Sequence, residues 1–230
     1  MNRSLPDALA AARAAGSVLL IASLPANELA FADEAVAGGA DALKMHANIR
    51  HRAGGRGFGT LADEATAVRR IREAHPNLPL GLVLGEEAEV VERDLGLARE
   101  LGVDFISAYV HAAPARALAG LPGVMLAFDA ATPHAFAARL GGLAVALEAS
   151  IIPADGYGRV LEAADVLRYA DLAARSPVPL VVPTQRRVRP ADLPALRRAG
   201  VSGLMFGAVV AGDRPEGFRD AARAFREALA

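Results

Sequence analysis

Short apolar runs recur along the chain at residues 18–23, 42–46, 80–84, 105–110, 124–128, 143–147, 180–182 and 204–209. They are nearly continuous rather than alternating in polarity, the pattern of strands buried on both faces of a parallel sheet. Between them, residues 61–74, 87–101, 157–174, 191–199 and 215–228 carry apolar positions at helical spacing, with Arg and Glu on the remaining face. The same punctuation opens several strands: Gly39-Ala40-Asp41, Gly102-Val103-Asp104 and Gly200-Val201-Ser202, each a glycine suited to end a helix just before the next strand. Repeated β-then-α units in 230 residues predict a (β/α)8 TIM barrel, read as one domain over residues 1–230. A doubly wound open sheet fits less well, because no Gly-x-Gly-x-x-Gly turn follows the first strand. The connection from Phe128 to Leu143 leaves room for only a short helix, around residues 133–140.

Composition narrows the partners. The chain is 53% hydrophobic and 22% charged, enough for a large buried core. A formal charge of -1, with basic and acidic residues interspersed, gives no electrostatic case for nucleic acid and points to small molecules. Zero cysteines exclude disulfides, thiolate catalysis and Cys-ligated metal. Residues 1–26 weakly mimic a secretory leader, but Asp7 and Arg13 interrupt the apolar run, Pro6 opens a helix and Gly16 closes it. No apolar run approaches the roughly 20 residues needed to cross a bilayer. The expected setting is therefore cytoplasmic, without a membrane partner, and any homo-oligomer is expected to form through helical faces.

In such barrels chemistry gathers at the C-terminal ends of the strands. Read as a strand, residues 42–48 put Lys44, His46 and Asn48 on one face. The other ends offer Ser23, Asn27, Glu86, Ser107, Tyr109, His111, Asp129, Glu148, Ser150, Thr184, Gln185 and Arg186. Lys44 is suited to act as general acid or base, as an electrophile toward a carbonyl, or as a Schiff-base nucleophile. Glu148 ends an apolar run, so its carboxylate is either paired or used, and it is the expected partner of Lys44. His46 and His111 fit hydrogen bonding to substrate better than metal ligation, because the close His/Asp spacing of a metal site is missing; a divalent metal near Asp129 and Glu148 stays an open alternative. Thr184, Gln185 and Arg186 after strand seven, with Gly207 and Ala208 after strand eight, are the expected phosphate cradle. The stretch 50–60 holds four glycines and three arginines and reads as a mobile cover over an anion.

The closing half of the chain resembles the ribulose-phosphate-binding barrel superfamily. Val182-Pro183-Thr184-Gln185-Arg186, Arg189-Pro190-Ala191-Asp192, Gly200-Val201 and Met205-Phe206-Gly207-Ala208-Val209-Val210 are similar to the phosphate-binding end of N-acetylmannosamine-6-phosphate epimerases and orotidine monophosphate decarboxylases. The resemblance implies a phosphate between these two loops. Leu43-Lys44-Met45-His46-Ala47-Asn48-Ile49 looks like the lysine-bearing strand of the decarboxylases, whose Asp-x-Lys-x-x-Asp array has Ala42 and Ala47 at its acid positions here. Only Lys44 carries over, which argues against that activity. The epimerases carry their lysine on strand three and an acid on strand seven, where this chain reads Gly81-Leu82-Val83-Leu84 and Val182-Pro183-Thr184.

The expected function is an enzyme acting on a small phosphorylated sugar or related metabolite by proton transfer next to a carbonyl, as an isomerase or epimerase. Lys44 and Glu148 would be its acid/base pair, His46, His111 and Asp129 would assist, and Asn48 and Tyr109 would join the phosphate residues in binding. Two alternatives are a Schiff-base aldolase or lyase using Lys44, and a non-catalytic phosphometabolite-binding barrel. No cofactor is expected.

Overall fold

A computed structural model describes residues 4–50, 55, 57–120 and 123–230. Eight parallel strands close into a barrel in sequence order: β1 (Leu19–Ser23), β2 (Ala42–His46), β3 (Leu80–Val83), β4 (Phe105–Tyr109), β5 (Gly123–Phe128), β6 (Ala146–Ala149), β7 (Leu180–Pro183) and β8 (Val201–Phe206). Helices α1 (Leu5–Ala14), α2 (Leu29–Ala37), α3 (Leu61–Ala74), α4 (Ala88–Glu100), α5 (Ala163–Arg175), α6 (Leu193–Arg198), the short α7 (Ala208–Ala211) and α8 (Pro215–Leu229) complete the chain. This is the expected (β/α)8 barrel. No helix of the described residues is long and apolar enough to cross a membrane.

Strand periodicity sorts the side chains into two cores. One lies between the strands and the helices and takes Leu20, Leu43, Leu82, Ile106, Leu126, Leu147, Val182 and Leu204. The other fills the lower half of the barrel with Leu19, Ile21, Ala42, Phe105, Met125, Ala146, Val181 and Met205, and α1 plugs its base with Leu5 and Leu9. Because the lower interior is packed with apolar side chains, polar inward positions are confined to the upper half.

Large and small residues alternate within that interior. Gly81 pairs with Phe105 across β3 and β4, and a Cβ at Gly81 would overlap the Phe105 ring. Gly81→Ala is therefore expected to destabilise the protein by about 1–3 kcal/mol through overpacking, measured by urea denaturation.

The lower rim is stapled by the two aspartates that open β2 and β4. Asp41 accepts from the Leu20 amide (2.9 Å) and from Arg226 (2.6 Å), and Asp104 accepts from the Leu80 amide (2.8 Å) and from Arg72 (2.7 Å).

Several boundaries differ from expectation. β6 starts at Ala146 rather than 143, because the amides of Leu143 and Ala144 still close a turn on Leu140 O and Leu143 stays 45% exposed at the approach to the strand. β8 starts at Val201 and ends at Phe206, because Gly200 at φ +84 closes α6 and the chain extends at once. The expected helix over 157–174 begins only at Ala163, where the Glu162 amide donates to the Asp165 carboxylate (3.0 Å). The expected short helix near 133–140 is a 3-10 segment, His134–Arg139, and another, Ala115–Ala119, follows β4.

Candidate active site at the C-terminal end of the barrel

Lys44 and Glu148 project inward from β2 and β6, opposite each other in the ring of eight, and meet near the barrel axis. Lys44 Nζ lies 3.3 Å from Glu148 Oε2 and 3.5 Å from Oε1. Ser107 on β4 donates to Oε2 (2.7 Å), and Ser150, just beyond β6, donates to Oε1 (2.8 Å). Lys44 and Glu148 are 5% and 4% exposed. Each carboxylate oxygen thus receives a hydroxyl and shares the ammonium, which fixes both charges at the floor of the site. Burying an ion pair costs desolvation that its attraction repays only with such geometry.

Above this floor lies a cavity of about 120 Å³, lined also by Ser23, His46, Tyr109, Thr184, Gln185, Gly207 and Ala208. His46 follows Lys44 on the same face, and its ring packs against Phe58 with centroids 5.0 Å apart. Asn27 clamps the end of β2: its amide donates to His46 O (2.7 Å) and Glu64 (2.8 Å) and its oxygen accepts from the His46 amide (3.2 Å).

At the far wall, Thr184 Oγ1 accepts from the Gly207 amide (3.2 Å), tying the β7 and β8 loops together. A Cβ at Gly207 would stand 3.4 Å from Ser23 O, an ordinary contact, so space alone does not require glycine there. Gln185 holds the loop after β6: its amide donates to the Tyr157 hydroxyl (2.7 Å), and its oxygen accepts from Ile152 N (3.1 Å). Tyr157 is thereby brought to the cavity.

Four residues expected at the site stand elsewhere. Arg186 does not line the cavity: its Nε lies 2.8 Å from Asp165, Nη1 donates to Gly156 O (3.3 Å), and Glu162 is 3.5 Å away. Hydrogen bonding to Asp165 holds the guanidinium above its ordinary pKa. The arginine fastens the loop after β6 to α5 and has no free fork for phosphate. Asn48, at φ 55, bonds Leu84 O (2.7 Å) and Asp94 (2.8 Å) outside the cavity, pinning the β2 and β3 loops. Asp94 lies below the usual carboxylate range, chiefly through its bond from Arg93. His111 is an outer residue stacked on Tyr109 (5.4 Å, 8°) and 3.8 Å from Asp129. The Thr132 hydroxyl lowers the Asp129 pKa.

Of the expected cover, residues 51–54 and 56 lie outside the described residues; Arg50 pairs with Gly57 and lines the cavity. Among the described residues no group of three or more His, Asp or Glu side chains is placed to hold a metal ion.

Next to the Arg186–Asp165 pair, the buried Tyr169 phenol is pushed well above its ordinary pKa by desolvation. The unfolded chain then loses this proton first, near pH 10. Stability from Tyr169 is full below pH 10 and falls by about 1.4 kcal/mol per unit as pH rises above it, until the folded phenol ionises. Tyr169→Phe is expected to flatten that slope in denaturation measured between pH 9 and 11.

Two features of the site carry more than the strand pattern alone assigns them. Ser107 and Ser150 sit two residues from Tyr109 and Glu148, the strand spacing that puts them on the inner face, yet the bonds they make were not foreseeable. The second feature is a count: Lys44 is the only lysine, and every other basic residue of the 25 is arginine. An arginine cannot release its proton in a protein or form an imine, whereas a lysine does both.

No known family model matches the sequence, and no curated protein matches it. Solved structures do match its fold. The tryptophan synthase A-subunit of Pyrococcus furiosus is similar with a TM-score of 0.67 at 13% identity, over 91% of this chain and 98% of that one. Thiamine phosphate pyrophosphorylase from Pyrococcus furiosus is similar with a TM-score of 0.60 at 14% identity, over 92% and 95%. A cube-shaped, porous protein cage designed by fusing symmetric oligomeric domains contains a similar fold, with a TM-score of 0.64 at 23% identity over 92% of this chain and 72% of that one. At these identities the likeness concerns the barrel and not the chemistry.

Proposed function

We propose that this barrel is an enzyme that moves a proton next to the carbonyl of a small phosphorylated metabolite, in the isomerase or epimerase sense. The observation that carries this reading is the only lysine of the chain, buried at the C-terminal end of the barrel and set beneath a cavity. Its ammonium gives a proton to the carbonyl oxygen, the neutral amine so formed takes the proton from the adjacent carbon to leave the enol, and Glu148 is the counter-ion that places it. Ser107 and Ser150 hold Glu148 in turn, so the carboxylate is a positioning group rather than the expected second acid/base. His46 and Tyr109 line the walls beside the reacting centre. The phosphate is assigned to the wall built by Thr184, Gly207 and Ala208, where small residues allow backbone amides to approach it. With Arg186 committed to Asp165, neutral donors and Arg50 bear that load. The superfamily resemblance of the closing half supports this assignment, as does the name of one structural neighbour, thiamine phosphate pyrophosphorylase.

A second reading keeps the same amine as a Schiff-base nucleophile toward a keto or aldehyde substrate, and is favoured by the same solitary lysine. Thermal-shift screening against phosphorylated and unphosphorylated aldoses, ketoses and sugar acids tests the binding claim, because a ligand of the folded state raises its melting temperature. Phosphorylated compounds are expected to shift the wild type and to lose the shift in Thr184→Val. Borohydride treatment of the same mixtures separates the chemistries: proton transfer leaves Lys44 unmodified, and a reduced adduct at Lys44 establishes the imine.

A further inference from the structure

At the opposite end of the barrel, between the C-terminal ends of α1, α5 and α6, lies a groove of about 850 Å³. Arg13, Arg197 and Arg198 line it, and no Asp or Glu does. The Arg197 guanidinium reaches across to α1, 3.6 Å from where a Cβ of Gly16 would stand. None of the three arginines makes an ion pair with any described residue, and the residues outside the description contain no acid.

The rest of the rim shows what such arginines do when the chain satisfies them. Arg226 and Arg72 lie on the same rim and are each closed by the aspartate that opens a strand, Asp41 and Asp104, and each also donates to loop carbonyls. The third opening of this kind, Gly200-Val201-Ser202, has serine in the aspartate's place. Capping of helix ends does not explain the groove arginines. The carbonyls of Ala11, Ala12 and Arg13 in α1, and of Ala195 and Arg197 in α6, already accept backbone amides.

Ser202 is the second, independent observation. It is only 6% exposed, it lines the groove, and its hydroxyl bonds no described residue. It also occupies the extra position of a β-bulge, where the β7–β8 register slips between Leu180 and Val181. Bulges recur where a strand re-aims a side chain toward a functional surface.

From these observations we infer that the groove is a second ligand site, for a compact polyanion of the oligophosphate class, separate from the cavity above Lys44. Three guanidinium forks match phosphate oxygens bidentately, and the Ser202 hydroxyl supplies a further donor at the groove wall. The ligand takes the place that Asp41 and Asp104 fill on the rest of the rim. This site stands whether or not the proposed reaction is correct.

Isothermal titration of the full chain with inorganic tripolyphosphate, at low and moderate salt, tests the inference. Saturable binding is expected in the wild type. Arg197→Gln/Arg198→Gln is expected to weaken it at least tenfold. Arg69→Gln/Arg70→Gln, an exposed pair on α3, is expected to change it less than twofold, which separates a built site from general attraction to arginine. Ser202→Asp supplies the missing carboxylate from within: it is expected to weaken tripolyphosphate tenfold and to raise the melting temperature without ligand by about 2–4 °C. No binding in the wild type, equal losses in both arginine pairs, or undiminished binding in the Ser202→Asp and Arg197→Gln/Arg198→Gln proteins would each overturn the inference. Binding of poly-glutamate in preference to tripolyphosphate would overturn it in favour of an acidic protein segment.

Discussion

Glu148→Ala lowers the stability of the folded chain by about 3–5 kcal/mol, the effect of leaving one partner of a buried ion pair alone. The expectation follows from what surrounds the carboxylate. Its removal strands the Lys44 ammonium, 5% exposed, and takes the acceptor from the Ser107 and Ser150 hydroxyls. For a chain of this size each kcal/mol corresponds to about 2–4 °C, so the melting temperature is expected to fall by roughly 6–20 °C. The double replacement Lys44→Met/Glu148→Leu removes both charges and is expected to recover most of the loss, because the desolvation cost disappears with the pair. A Glu148→Ala protein within 1 kcal/mol of wild type, a threshold set at about the value of an exposed pair, would mean the two charges are not buried together.

Lys44→Arg is the second large effect, and it is chemical rather than structural. The substitution keeps the positive charge facing Glu148 but removes the capacity to exchange a proton or to form an imine. Turnover of a phosphorylated carbonyl compound is expected to fall by roughly 10²–10⁴, the usual contribution of a positioned acid or base. Steady-state rates beside circular dichroism of the same preparations check it. A Lys44→Arg enzyme with near wild-type kcat would reduce the lysine to a point charge.

The legible and the hidden parts of this protein divide along physical lines. Residues 61–74 were readable as a helix to both ends, because the Thr60–Asp63 capping box and the apolar spacing act locally. β6 begins three residues later than its composition suggests, because the apolar approach Leu143-Ala144-Val145 has strand composition while Leu143 and Ala144 are held in a turn by Leu140 O. Lys44 and Glu148 were paired in advance because two charges in apolar runs of a barrel have few other partners. Arg186 could not be placed the same way. Its partner Asp165 lies on α5, 21 residues earlier, and nothing in Gln185-Arg186-Arg187 distinguishes an inward fork from an outward one. Asn48 extended the Lys44–His46 alternation on paper, yet the chain leaves the strand after His46 and turns through a left-handed conformation at Asn48.

Proton transfer by Lys44 is the central step of the proposed function, and solvent exchange observes it directly. The wild-type protein is incubated in D2O with each phosphorylated sugar that raises its melting temperature, and the carbon-bound protons next to the carbonyl are followed by NMR. Deuterium entering at that position with the wild type, and not with Lys44→Arg, is the predicted result. A bound phosphorylated sugar that keeps every such proton through prolonged incubation with the wild type would contradict it.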